Sequence, residues 1–81
     1  MSTEHPVTQH TDAANITVVV NGDPRQVRAG ETIVGLVSAL GLDPERLAVE
    51  LDRRIVKRAQ WDSTPLAAGA QIEIVQFVGG G

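Results

Sequence analysis

Gln71-Ile72-Glu73-Ile74-Val75-Gln76-Phe77-Val78 is the stretch on which the fold turns, and it runs straight into Gly79-Gly80-Gly81. Ile72 and Ile74 alternate with Glu73, Val75 and Phe77, the period of a strand that buries one face. The glycines end it. Glycine stops a strand well but packs nothing, so the ending has no core-building purpose. A segment without Cβ atoms is thin and flexible, can be threaded into a narrow slot, and leaves its terminal carbonyl open to attack. Taken alone, it reads as the frayed end that most domains have.

The rest of the composition narrows what such an ending can serve. Eighty-one residues make one small domain. With 42% hydrophobic but only 2% aromatic residues, the core must be built from Val, Ile and Leu, which leaves little room for a deep catalytic cleft. A net charge of -3 argues against a dedicated nucleic-acid binder. The absence of cysteine excludes disulfides, thiolate metal sites and a cysteine nucleophile. A polar N-terminus and the lack of any long apolar run point to the cytoplasm. Residues 1–14 have low hydrophobicity and no period, and read as a disordered extension. His5 and His10 fall within it without an ordered third ligand, so no metal site is expected.

Working back from the last strand, Ala68-Gly69 is a turn, Leu66 a core residue, and Ala59-Gln60-Trp61 a single helical turn with Trp61 plugging the core edge. Leu47-Ala48-Val49-Glu50-Leu51 alternates as a strand, and Asp52-Arg53 reverses it into Arg54-Ile55-Val56. Arg53, Arg54, Lys57 and Arg58 form the one charge cluster, suited to a solvated hairpin and edge strand. Thr32 is a helix N-cap, and Ile33, Leu36, Val37 and Leu40 share one face of a helix of about three turns. Gly41-Leu42 suits a Schellman ending. Gly35 inside that helix should cost about 1 kcal/mol relative to alanine, and the sequence leaves its reason open. Ile16-Thr17-Val18-Val19-Val20 is the first strand, Asn21-Gly22-Asp23-Pro24 a hairpin turn, and Arg25-Gln26-Val27-Arg28 a short return with Val27 inward. Two hairpins, a helix and a final strand make an α+β domain over 15–78: a mixed sheet of about five strands with the helix across one face. The first and last strands then lie side by side, and the tail over 79–81 projects freely from a sheet end.

In that order the pieces resemble the ThiS family, sulfur carriers of thiamine biosynthesis with the ubiquitin-like β-grasp fold. The resemblance rests on Val20-Asn21-Gly22, Thr32-Ile33, Gly41-Leu42, Leu47-Ala48-Val49-Glu50-Leu51, Ile55-Val56 with Arg58 and Trp61, and Ile72-Glu73-Ile74-Val75 leading into the glycines. Two turns depart from the family pattern: Asp52-Arg53-Arg54 replaces an Asn-Gly-type turn, and Gly69-Ala70 replaces Gly-Asp. Both put local turn geometry in question and leave the tail untouched. The resemblance implies that Gly81 carries the chemistry. A ThiF-like adenylating enzyme, using ATP and magnesium, makes an acyl-adenylate on it. A persulfide donor converts this to a thiocarboxylate, and the thiazole synthase ThiG takes the sulfur. Gly79 and Gly80 give the reach needed in both active sites. The chain itself binds no cofactor and is a co-substrate, in keeping with the lack of any Ser/His/Asp arrangement or paired-carboxylate cleft. If Ile72 and Ile74 face the helix, Val75 and Phe77 face outward beside the tail and form a candidate docking patch. Three other proteins would share this ending: a MoaD-like carrier for molybdopterin synthesis, a ubiquitin-like modifier, and an interaction domain with an inert tail. The Trp61 region and Gln76-Phe77-Val78-Gly79 look more like the thiamine branch.

Overall fold

A computed structural model describes residues 15–78; the expected extension over 1–14 and glycine tail over 79–81 lie outside the described residues. Five strands form one sheet in the order β2-β1-β5-β3-β4, where β1 is Asn15–Val20, β2 Asp23–Arg28, β3 Leu47–Leu51, β4 Arg54–Ile55 and β5 Gln71–Gln76. The one α-helix, α1 (Ile33–Ala39), lays Ile33, Leu36 and Val37 into the core. β1 and β5 run parallel as neighbours and every other pairing is antiparallel, as a mixed α+β sheet requires.

Each hairpin closes through two residues of positive φ, the geometry whose twist matches that of the flanking strands. Val20 pairs with Asp23, leaving Asn21 (φ 50°) and Gly22 (φ 87°) as the first loop. Pro24, expected in that turn, instead pairs with Val19 inside the edge strand β2. An edge tolerates a residue without an N–H. Leu51 pairs with Arg54, leaving Asp52 (φ 51°) and Arg53 (φ 73°) as the second loop. The doubted turn therefore keeps the two-residue geometry although neither residue is glycine. Asp52 is tied down from both ends: its N–H donates to Gln71 C=O (2.8 Å), and its Oδ1 accepts from Gln71 N–H (3.0 Å). At the other turn departure Gly69 takes φ 83°, and Ala70 N–H closes onto Ala67 C=O at 3.0 Å.

The helix is bounded by the residues that mark it in the sequence. Thr32 Oγ1 accepts from Gly35 N–H at 3.2 Å. At the other end Leu42 N–H reaches Val37 C=O (3.3 Å) and Gly41 N–H reaches Ser38 C=O (3.0 Å), with Gly41 at φ 72°. These two bonds make a Schellman motif. They also close the helix after seven residues, about two turns rather than the three expected. A Cβ on Gly35 would meet the Glu31 carboxylate, which accepts from Thr32 N–H, but that carboxylate is the end of a flexible side chain and can move aside, so the contact does not by itself require glycine.

The core is aliphatic apart from Trp61, and among the described residues no polar or charged side chain is buried in it. Trp61 is 2% exposed and donates its Nε1–H to Val56 C=O at 2.8 Å, so its polar end is satisfied. It sits in a six-residue 3-10 helix, Arg58–Ser63, twice the single turn expected. The tighter winding, three residues per turn, fits two turns into a stretch too short for two α-helical ones.

Candidate functional site

Residues of β5 divide between two faces. Ile72 and Ile74 are buried against α1, while Val75 is 56% exposed and Phe77 55% exposed on the opposite face. The two candidate docking residues are thus presented together, as the alternation requires. Val78, 88% exposed, follows them. Gly79, Gly80 and Gly81, the expected reach and reactive terminus, lie outside the described residues.

The root of the arm is fixed more firmly than the sequence implies. Phe77 N–H donates to Arg46 C=O at 2.8 Å, one residue beyond the end of β5. Arg46 is held in turn by the 3-10 turn Pro44–Arg46, whose cap Asp43 accepts from Glu45 N–H at 3.0 Å. Val78 follows that anchor and is the last described residue.

Around the base, the outer sheet face carries Ala48 opposite Val75 and, one step further along, Glu50 opposite Glu73. Ile55 lies beyond Glu50 and is 74% exposed. Like charges directly opposite disfavour strand pairing, so this acidic step limits the apolar patch to the end nearest the arm. The basic residues Arg53, Arg54, Lys57 and Arg58 are all exposed along the β4 edge, and Arg58 pairs with Glu45 at 3.4 Å. Among the described residues no group of three or more His, Asp or Glu side chains is placed to hold a metal ion. No helix among them is long and apolar enough to cross a membrane.

Two contributors are absent from the sequence reading. Arg46 acts through its carbonyl, which no side-chain pattern reports. Asn21 does more than form a turn. Its Nδ2–H donates to Ile74 C=O (3.2 Å) and its Oδ1 accepts from Ile74 N–H (2.7 Å), so its amide replaces one rung of the β1–β5 ladder after β1 has ended. An asparagine at a strand end is the available signal, but its partner lies 53 residues away.

Comparison with known proteins supplies the remaining findings. The model of the ThiS family matches residues 18–81. A thiazole synthase of Magnetococcus marinus is 42% identical over 62 residues, covering 76% of this chain and 19% of that protein. A thiazole synthase of Paramagnetospirillum magneticum is 36% identical over 64 residues, covering 79% and 20%. The chain thus spans about a fifth of the length of these two relatives. The crystal structure of a thiamine biosynthesis protein (ThiS) from Geobacter metallireducens superposes with a TM-score of 0.71 at 32% identity, over 82% of this chain and 100% of that one.

Proposed function

Because this chain belongs to the ThiS family, we propose that it is a sulfur carrier for synthesis of the thiazole moiety of thiamine, working through the Gly81 carboxyl. The observation that carries this is the extent of the family match, which continues through the glycine ending to residue 81. An ionised carboxylate is a poor electrophile at neutral pH and needs activation. A ThiF-like adenylating enzyme supplies ATP and magnesium. The Gly81 carboxylate attacks the α-phosphorus, pyrophosphate leaves, and an acyl-adenylate forms. A persulfide sulfur displaces AMP, and a thiol then cleaves the S–S bond to leave a terminal thiocarboxylate. A thiazole synthase takes up that sulfur and returns the carboxylate.

In this scheme the chain is a co-substrate and its partners catalyse. Gly79 and Gly80 let the arm enter slots that side chains would block. Val75 and Phe77 are the grip on the partner, beside an anchored base that limits where the arm can point. The similarity to thiazole synthases favours thiazole over a pterin as the destination of the sulfur.

Intact mass of the chain purified from its native cell is the test. Replacement of one oxygen by sulfur is the expected result. Its persistent absence, with the adenylating enzyme, ATP, magnesium and a persulfide donor supplied, would falsify the carrier reading. Lysine isopeptide adducts would identify a protein modifier instead. A thiazole requirement after gene deletion, rather than a molybdopterin one, is the expected growth phenotype.

A further inference from the structure

Along β5 the backbone alternates the side to which it offers hydrogen bonds. Phe77 N–H meets Arg46 C=O, and Gln71 C=O takes Asp52 N–H, so the odd-numbered residues face β3. The even-numbered ones face β1. There Ile72 C=O accepts from Asn21 N–H, and Ile74 exchanges both its groups with the Asn21 side chain. β1 then stops. Gln76 is next in the series, and among the described residues its N–H and C=O have no partner on that side.

This open edge borders a groove of about 350 Å³ on the helix side of the sheet. Leu40, Leu42 and Ile74 give it an apolar wall, and Asp23 and Arg25 bring one charge of each sign from β2. Neither charge is in an ion pair among the described residues. The combination has the requirements of an extended peptide: a backbone N–H and C=O for Gln76, an apolar side chain for the wall, and polar or charged neighbours for Asp23 and Arg25.

We infer that the groove receives an extended segment of the adenylating enzyme, which adds to β5 as a strand at Gln76. The inference rests on the carrier reading and identifies a second contact of that partner, on the opposite side of β5 from Val75 and Phe77. Position favours this occupant. Gln76 lies five residues before Gly81, so a protein that holds the arm passes alongside it. The groove lies at the Asn21 end of β1, the opposite end of that strand from Asn15. A single rung and one small groove are too little surface to hold a second copy by themselves.

Hydrogen exchange of the Gln76 amide, read in the full chain with and without the adenylating enzyme, ATP and magnesium, is the experiment. The amide should exchange freely in the isolated chain and at least about tenfold more slowly in the complex. Gln76→Pro removes an N–H that the fold does not use. It should weaken the complex by about tenfold with an unchanged urea midpoint, whereas Gln76→Ala should bind as the parent does. Should the proline variant fail to fold, exchange in the parent chain decides alone. Thiocarboxylate formation with an unprotected Gln76 amide overturns the inference and leaves the carrier reading standing. Absence of both complex and thiocarboxylate removes both. Protection in the free chain that fades on dilution assigns the groove to a second copy. Protection that disappears when residues 1–14 are deleted assigns it to the chain's own extension. Either result overturns the inference.

Discussion

The two halves of β5 have the same alternation and opposite fates. Its first half is held on both sides: Gln71 and Ile72 pair with β1, and Ile72 also pairs with Leu51 of β3. Ile72 is 1% exposed. Its second half is held by β3 alone, with Asn21 reaching across at Ile74, and there the outward side chains are Val75 and Phe77 rather than glutamate. One strand thus lies at the centre of the sheet at its start and, on the proposed carrier function, mounts the glycine arm at its end. On that proposal stability and function divide along its length, so substitutions at the two ends should be separable.

The largest effect should come from the arm itself. On the proposed carrier function, appending one residue after Gly81 would move the carboxyl to be adenylated and bring a side chain into a slot proposed to admit only glycine. Sulfur transfer should be abolished, with the urea unfolding curve unchanged, since among the described residues the core cluster ends at Ile74. Full activity of an uncleaved extended chain would sink the assignment of Gly81.

Next in size is the contrast between Ile72 and Phe77. Ile72→Ala opens a cavity in the core and should cost about 2–5 kcal/mol. Phe77→Ala removes an exposed ring and should change stability by no more than about 0.5 kcal/mol. Its cost should appear instead as roughly tenfold weaker binding to the adenylating enzyme. Urea titration and a binding titration on both variants check the pair. Equal losses in the two assays would mean that the strand is not divided in this way.

Asn21 sets where the division falls, and a smaller effect is expected there. Asn21→Gly keeps the positive φ of the turn and loses both bonds to Ile74. It should cost about 1–3 kcal/mol, the penalty for leaving a half-buried N–H and C=O without partners. The Ile74 amide should also exchange faster, extending the open edge from Gln76 inward. An unchanged Ile74 exchange rate would show that the β1–β5 ladder does not depend on the Asn21 amide.

These residues show where the sequence is informative and where it falls silent. The faces of β5, the Thr32 cap and the Gly41-Leu42 ending follow from local chemistry, because each depends on neighbours within a few positions. The parallel placing of β1 beside β5 is legible from the order of elements. The Asn21–Ile74 and Phe77–Arg46 bonds are not. They join residues far apart in the chain, and a carbonyl carries no side-chain signature. The 3-10 winding around Trp61 is hidden for a related reason. It is pinned by the bond from Trp61 to Val56 and by Thr64 Oγ1–H to Gln60 C=O (2.6 Å), not by a periodic face. At the site, the outward patch was readable from alternation, but the acidic limit at Glu50 and Glu73 required the strand register.

The smallest effect tests how the β3–β4 turn keeps its shape without glycine. Asn21-Gly22 and Asp52-Arg53 adopt the same two-residue geometry, but only the first has the residues that favour it. Arg53 holds φ 73°, where a side chain costs roughly 1–2 kcal/mol. Asp52 offsets this by clasping Gln71 from both its backbone and its carboxylate. Arg53→Gly removes the strain and adds backbone freedom to the unfolded chain worth about 0.5–1 kcal/mol, so the net gain should be up to about 1 kcal/mol. Asp52→Ala should lose stability instead, because the clasp on Gln71 goes while the strain at Arg53 remains. If Arg53→Gly destabilises the fold, the exposed guanidinium contributes to the β4 edge in a way that its backbone conformation does not reveal.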